Sequence, residues 1–298
     1  MSEINNKILD MISKGFKPSI ICEKLNISLK ELKRRIESIK YDGYNINSQY
    51  FYDGTRRYIL DKKTNNINSN NKVYIKGVGD NHVFKFIAMS DTHIGHKRAN
   101  INYVNDIYEY SDKKDINMFV HCGDLFEGTK QPIMTLDEQL DYCIKNYPKK
   151  NNSLTFVSFG NHDEDFVTKL GINLNNYISK NRDDIIPIGF NNSIIMVFDN
   201  PIYISHEGKF PSGQGFKISG HSHRFKFSSD NYSNILVCPT LSDYLHVSDY
   251  PGAVETHIAI DGGKFVHLIL KHLTINEHNI VKETSTIDVP MQKKVKGR

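Results

Sequence analysis

Nowhere does this 298-residue chain run to 18 consecutive apolar residues, so no membrane-spanning helix is expected. The opening residues MSEINNKILD lack the basic start and apolar core of a secretory signal, which points to an intracellular, cytoplasmic protein. Paired cysteines are also missing. Cys22, Cys122, Cys143 and Cys238 lie far apart with no C-x-x-C spacing, which argues against a structural zinc site or a disulfide framework and leaves them as buried thiols. The net charge is only +4, but it is unevenly spread. Residues 1 to 76 carry 15 Lys plus Arg against 8 Asp plus Glu, a balance of +7, whereas the remainder carries 23 against 26, a balance of −3. Such asymmetry suggests that the amino-terminal quarter is the part that meets a polyanion.

What is present suffices for a sizeable core: 39% of the residues are hydrophobic, over a length comfortable for two domains. Ile4, Ile8, Met11 and Ile12 recur at helical spacing before Gly15. A second short helix is expected to start near Pro18, and a third at Ser28, where Glu31 three residues on fits a capping box. The third helix places Leu32, Ile36 and Ile39 on one face and Lys30, Lys33, Arg34 and Lys40 largely elsewhere. Two short helices joined at Asn26 and Ile27, the second of them basic, look like a helix-turn-helix. YFYDGTRRYIL (50 to 60) then alternates around Asp53 and Gly54 as a hairpin carrying Arg56 and Arg57, so that 1 to 60 is similar to a winged helix. Nucleic-acid binding through Lys30, Lys33, Arg34, Lys40, Arg56 and Arg57 and docking of a small helical module on the body or on a partner both fit this pattern. Residues 61 to 76, polar and Asn-rich at first, read as a linker.

From residue 77 to about 280, strand-like runs alternate with expected helices around 98 to 110, 134 to 146 and 164 to 180, a βαβ rhythm. Short strands follow at 235 to 240, 255 to 261 and 264 to 273, the last two joined through Gly262 and Gly263 as a hairpin. Residues 281 to 298 read as a basic tail.

Five apolar runs in this body stop at metal-competent side chains. FKFIAMSDTH ends in Asp91 and His93, INMFVHCGD in Asp124, and LTFVSFGNHD in Asn161, His162 and Asp163; PIYISHEG reaches His206, and GFKISGHSH reaches His221 and His223. A strand sets residues i and i+2 on one side, and ligands of open α/β sheets gather outside the carboxyl ends of strands, so the five runs would pool these groups in one crevice. Among the other histidines, His96, His121 and His246 are the ones placed to approach such a crevice.

The ordered blocks SDTH (90 to 93), GDLFEG (123 to 128), GNHD (160 to 163), SHEG (205 to 208) and GHSH (220 to 223) resemble the signature of the calcineurin-like metallophosphoesterases. The resemblance implies an α/β fold, a four-layer α-β-β-α sandwich with the small helix-turn-helix domain in front of it. It also implies a dinuclear centre in which Asp91, His93 and His223 hold one metal, Asn161, His206 and His221 the second, and Asp124 bridges them. Mn²⁺ suits this His/Asp/Asn donor set, with Fe²⁺ or Zn²⁺ as alternatives. By the same resemblance, a metal-bridged hydroxide attacks the phosphorus, while His162 donates to the leaving oxygen and Asp163 orients its ring. The glycines before Asp124, Asn161 and His221 suit tight exits from strands. Leu125 and Phe126, where protein phosphatases of the family carry a different block, look like the nuclease branch. A phosphodiesterase acting on DNA or RNA is therefore expected. The alternatives are a phosphomonoesterase or small-nucleotide phosphodiesterase, and a DNA-binding regulator with an inactive body.

Overall fold

The computed structural model describes residues 2–60, 71–213, 215–230, 233–244, 250–276 and 281–291. Three helices come first, α1 (Glu3–Ser13), α2 (Pro18–Leu25) and α3 (Leu29–Tyr41), followed by the hairpin β1 (Ile46–Phe51) and β2 (Arg56–Leu60) and by β3 (Lys72–Lys76). The body continues with β4 (Val83–Met89), α4 (Ile101–Lys113), β5 (Met118–His121), α5 (Leu136–Asn146), β6 (Leu154–Phe159), α6 (Glu164–Leu170), α7 (Leu174–Asn181) and β7 (Ile185–Phe190). Then come β8 (Ser193–Val197), β9 (Asn200–Ile204), β10 (Gly215–Ser219), β11 (Lys226–Ser229), β12 (Ser233–Val237), β13 (Gly252–Asp261), β14 (Lys264–Ile275) and β15 (Val281–Pro290). No helix among the described residues is long and apolar enough to cross a membrane.

Two sheets pack face to face, ordered β11-β12-β10-β9-β8-β3-β1-β2 and β15-β14-β13-β4-β5-β6-β7. The alternation along β4 shows why: Phe84, Phe86 and Ala88 enter the core between the sheets with Phe156, Ile202, Phe216 and Leu236, while Ile87 and Met89 face the other way. That second face is covered by α4 to α7 through Val104, Ile107, Leu140, Phe166 and Ile178. Burial on both faces makes these strands read as nearly continuous apolar runs. Helices α1 to α3 lie at the β1–β2 end of the other sheet, where Ile8, Ile21, Leu32, Ile36 and Ile39 close a separate core with Ile46 and Tyr58.

Four departures from expectation have local causes. The 164 to 180 segment is two helices, because Gly171 ends α6 in the left-handed region and Asn173 caps α7 by accepting the amide of Asn176. At α3, Ser28 accepts the Glu31 amide at 3.1 Å, but the Glu31 carboxylate does not complete the box. It pairs with Arg34 and Arg35 instead, since charge-assisted bonds outweigh a neutral amide. The end of the 61 to 76 stretch is β3, whose KVYIK alternation pairs it in parallel with both β1 and β8; residues 61–70 lie outside the described set. Finally, the 281 to 298 stretch begins with β15, an edge strand antiparallel to β14, and 292–298 lie outside the described set.

The hairpin is therefore part of the eight-stranded sheet. Tyr50 packs edge-on against Phe156, and the Tyr52 hydroxyl donates to Val83 O at 3.2 Å while accepting the Lys85 amide. At the turn, Gly54 (φ +74°) sits so close to Asn152 that a Cβ there would lie 1.6 Å from its carbonyl oxygen.

Candidate metal centre

Four neighbouring strands run parallel in one sheet, β4 to β7, and three in the other, β9, β10 and β12. Their carboxyl ends carry Asp91 and His93, Asp124, Asn161 and His162, His206, and His221 and His223. The structure brings donor atoms of Asp91, His93 and His223 into one cluster and those of Asp124, His206 and His221 into another. Asp124 Oδ2 lies 2.9 Å from His206 Nε2 and 4.0 Å from His93 Nε2, between the two groups. His93 Nε2 and His223 Nε2 face each other at 3.2 Å.

The backbone is bent to achieve this. Asp91, His93, Asp124, His221 and His223 all have positive φ, between +47° and +67°. Such left-handed turns cost a non-glycine residue on the order of 1–3 kcal/mol each, and Asp and His are among the side chains that tolerate them best. Hydrogen bonds between the loops hold the bend: Asp91 N donates to Gly123 O at 3.0 Å and His93 N to Asp124 O at 3.1 Å. Two glycines keep the loops clear of the carboxylates. A Cβ on Gly160 would come within 2.3 Å of Asp124 Oδ1, and one on Gly220 within 2.7 Å of Asp91 Oδ2.

The histidines are aimed by their outer nitrogens. His93 Nδ1 bonds Glu127 Oε2 at 2.9 Å, His206 Nδ1 the carbonyl of Cys122 at 2.9 Å, and His223 Nδ1 that of Tyr244 at 2.7 Å. Each partner accepts a proton from Nδ1, which leaves the Nε2 lone pair directed at the centre, the arrangement of a ligating imidazole. Meanwhile Asp91 Oδ1, Asn161 Oδ1 and His206 Nε2 are buried with no hydrogen-bond partner among the described residues. Buried unsatisfied atoms are costly, and bound cations would satisfy them. The donor set therefore fits divalent metal.

The carboxylates make the site strongly negative, which draws cations in; with no ion bound the same charge favours protons on the imidazoles, protons that a metal would displace. Burial opposes the charge on Asp91, yet the nearby imidazoles of His223 and His93, 3.3 and 3.7 Å from its Oδ1, hold its carboxyl well below the ordinary range. Burial likewise opposes the charge on His93 and His206, but Asp91 and Glu127 raise the first to about 10, and Asp124 and Asp91 raise the second to about 9.

Glu127 is the residue that sequence reasoning missed. Only 2% exposed, it holds His93 and also lies 3.5 Å from His162 Nδ1, whose main bond is to the Glu127 carbonyl at 2.8 Å. It stood inside the GDLFEG block, but one glutamate among 34 acidic residues carries no signal until folding places it. His162 presents Nε2 to the centre, 3.8 Å from Asp124 Oδ2. Burial works against its protonation, but Glu127 and Asp124 raise its pKa above the usual value.

Asp163 does something other than orient the His162 ring. Its carboxylate accepts the amides of Gly160 (2.7 Å), Phe126 (2.8 Å) and Leu125 (3.3 Å), tying the β5 and β6 loops together. Burial and the neighbouring Asp124 push its pKa up to about 7. Of the other histidines, His121 is buried against Thr92 with its pKa lowered to about 4 by burial, and His96 is buried beside Tyr244. His246 lies outside the described residues.

The six basic positions of the amino-terminal region are not brought to this centre. Lys33 donates to Ser179 O in α7 at 2.9 Å, Arg56 bonds Ser48, and Arg57 lies over the Phe51 ring. Arg34 and Lys40 pair with Glu31 and Glu37 on their own helix, and Lys30 is exposed. The contacts at Asn152 and Ser179 precede β6 and β7, whereas the metal-competent groups follow the strands. Six residues of β6, roughly 20 Å of extended chain, separate the two ends.

Fold and centre together define a metal-dependent phosphoesterase. Residues 84–270, more than half of the chain, match the calcineurin-like phosphoesterase family, and the protein belongs to that family. No curated protein matches it in sequence. Among solved structures it is similar to Yfce, a phosphoesterase from E. coli (12% identity over 70% of this chain and 100% of that one, TM-score 0.43). An archaeal phosphodiesterase (13%, 69% and 99%, TM-score 0.38) and zinc-complexed Vps29 from Entamoeba histolytica (14%, 70% and 99%, TM-score 0.39) are likewise similar.

Proposed function

We propose that this protein is a nucleic-acid phosphodiesterase, cutting DNA or RNA at a centre of two divalent cations, Mn²⁺ being the one the donor set suits best. Asp91, His93 and His223 would hold one cation, Asn161, His206 and His221 the other, and Asp124 both. When bound, the pair supplies an activated water and neutralises charge on the phosphoryl oxygens. The protein's own part is to keep each imidazole aimed, to exclude bulk water by burying the carboxylates, and to hold a proton on His162 for the leaving oxygen. Glu127 supports both the ligand His93 and the donor His162.

One observation carries the choice of a polyanionic substrate. Every ligand-bearing loop except the Asn161 loop also carries an exposed cation close behind its ligand: Lys97 and Arg98 after His93, Lys130 after Asp124, Lys209 after His206, and Arg224 after His223. A rim of this kind suits a chain of phosphates on either side of the one being cut. The exposed side of α3, with Lys30, Arg34 and Lys40, is proposed as a second, more distant contact that only a long polymer reaches.

The test compares, in Mn²⁺, an aryl phosphodiester, an aryl phosphomonoester, a dinucleotide, and long DNA and RNA. Deleting residues 1 to 72 is unsuitable, since it strips β1 and β2 from their sheet. The whole chain is used instead, with Asp124→Asn and, separately, with Lys30, Arg34 and Lys40 all changed to Ala. Asp124→Asn is expected to lower all hydrolysis by about 10³-fold, and the triple variant to slow long polymers while sparing the dinucleotide. Turnover of the monoester alone would sink the nucleic-acid reading.

A further inference from the structure

Beside the centre stands an aromatic ring for which folding gives no reason to be exposed. Tyr244, on the loop that follows β12, is 37% exposed, and its ring centroid lies 5.7 Å from that of His93 and 5.0 Å from those of both His96 and His223. The three imidazole planes are inclined to it by 77°, 51° and 67°, so none lies parallel on it. The Arg98 guanidinium is 5.9 Å from the ring centroid.

The backbone at Asp243 and Tyr244 is held from several sides. Tyr244 O accepts His223 Nδ1, Asp243 N donates to Arg98 O at 2.9 Å, and Asp243 Oδ1 accepts the Tyr103 hydroxyl at 2.7 Å. A partly exposed ring held in place at Tyr244, with three inclined imidazoles around it and a guanidinium over it, is preorganised to receive a flat partner.

We propose that Tyr244 is a substrate-positioning residue whose ring stacks on a planar group flanking the scissile phosphate, with Arg98 pairing to the adjacent phosphate. On the nucleic-acid reading above, on which the proposal rests, that group is a nucleobase. Every base has a π-face, so stacking of this kind positions the chain without selecting a sequence.

The experiment measures kcat/KM for a dinucleotide and for the same dinucleotide lacking one base, in the unchanged protein, Tyr244→Phe and Tyr244→Leu. Tyr244→Leu is expected to lower the ratio of intact to abasic turnover about tenfold, and Tyr244→Phe to restore it to within about twofold, because the ring and not the hydroxyl does the stacking. Binding gives an independent reading: in the Asp124→Asn background, a 2-aminopurine dinucleotide is quenched on binding, and the quench is lost with Tyr244→Leu. A ratio unmoved by Tyr244→Leu, even with both rates reduced, overturns the proposal, since the residue then acts only by supporting His223. Should the protein hydrolyse monoesters alone, the nucleic-acid reading fails. The platform is then judged by the ratio of aryl to alkyl phosphate turnover, which Tyr244→Leu must lower for it to stand.

Discussion

The two ends of the sandwich are built by opposite rules. At the amino-terminal end, α1 to α3 are locally consistent: Ser2 and Ser28 cap their helices, the chain leaves α2 through a left-handed Asn26, and exposed pairs such as Lys7–Glu3 and Lys14–Asp10 sit at i,i+4 spacing. At the catalytic end, five non-glycine residues occupy left-handed turns and buried polar atoms lack partners. Strain persists where the surrounding fold over-determines it, and at this end, unlike the other, it falls on the metal-competent residues themselves, which separates the part that does chemistry from the part that holds shape.

Substitutions should follow that division, costing activity at one end and stability at the other. The largest effect is expected at His162. His162→Ala should lower kcat by about 10²–10⁴-fold, most for esters of poor leaving groups, with metal content unchanged by elemental analysis. A uniform loss across leaving groups would remove it from the role of proton donor.

Glu127→Gln comes next and should weaken metal affinity by about 10–100-fold, read by competition with a chelator. The sign of its pH effect is also fixed. Glu127 raises the pKa of His162, so its loss lowers that pKa. Activity that needs protonated His162 then falls away at lower pH, and the alkaline limb of the kcat profile should move down.

At the other end, Gly54→Ala should cost about 1–3 kcal/mol, measured by chemical denaturation, because the methyl group meets the Asn152 carbonyl. Turnover per folded molecule should persist. Smallest of all, Ser28→Ala should cost about 1 kcal/mol through the lost cap of α3. A drop in turnover larger than the drop in stability, for either variant, would show that the two ends are coupled.

The same division explains what could be read from the sequence. The strands before the site were legible because burial on both faces leaves unbroken apolar runs, and Asp91, His93, Asp124, Asn161, His206, His221 and His223 stood out because each follows such a run within a few residues. Glu127 and Tyr244 were not legible, since neither ends a run and each gains its meaning from groups distant in sequence, His93 and His162 for the one and His93, His96 and His223 for the other. The bond pattern of Asp163 was hidden for a related reason: a motif gives the residue but not which of several nearby donors it will satisfy. In the amino-terminal region, Lys33 looked solvated by periodicity alone, and only the placement of α7 shows where its ammonium goes. The place of β3 in the eight-stranded sheet could not be foreseen either, because both its partners are chosen by tertiary packing.

The position of β3 also bears on how the chain is made. Lys72 of β3 pairs with Ile194 of β8, a partner that leaves the ribosome about 120 residues later; at roughly 5–20 residues per second, the open flank of the β1–β3 ribbon waits on the order of ten seconds for it. An unpaired strand edge invites pairing with other nascent chains. Helices α1 to α3, whose core among the described residues draws only on positions up to Leu60, can close before that partner arrives and keep the front of the chain folded during the wait.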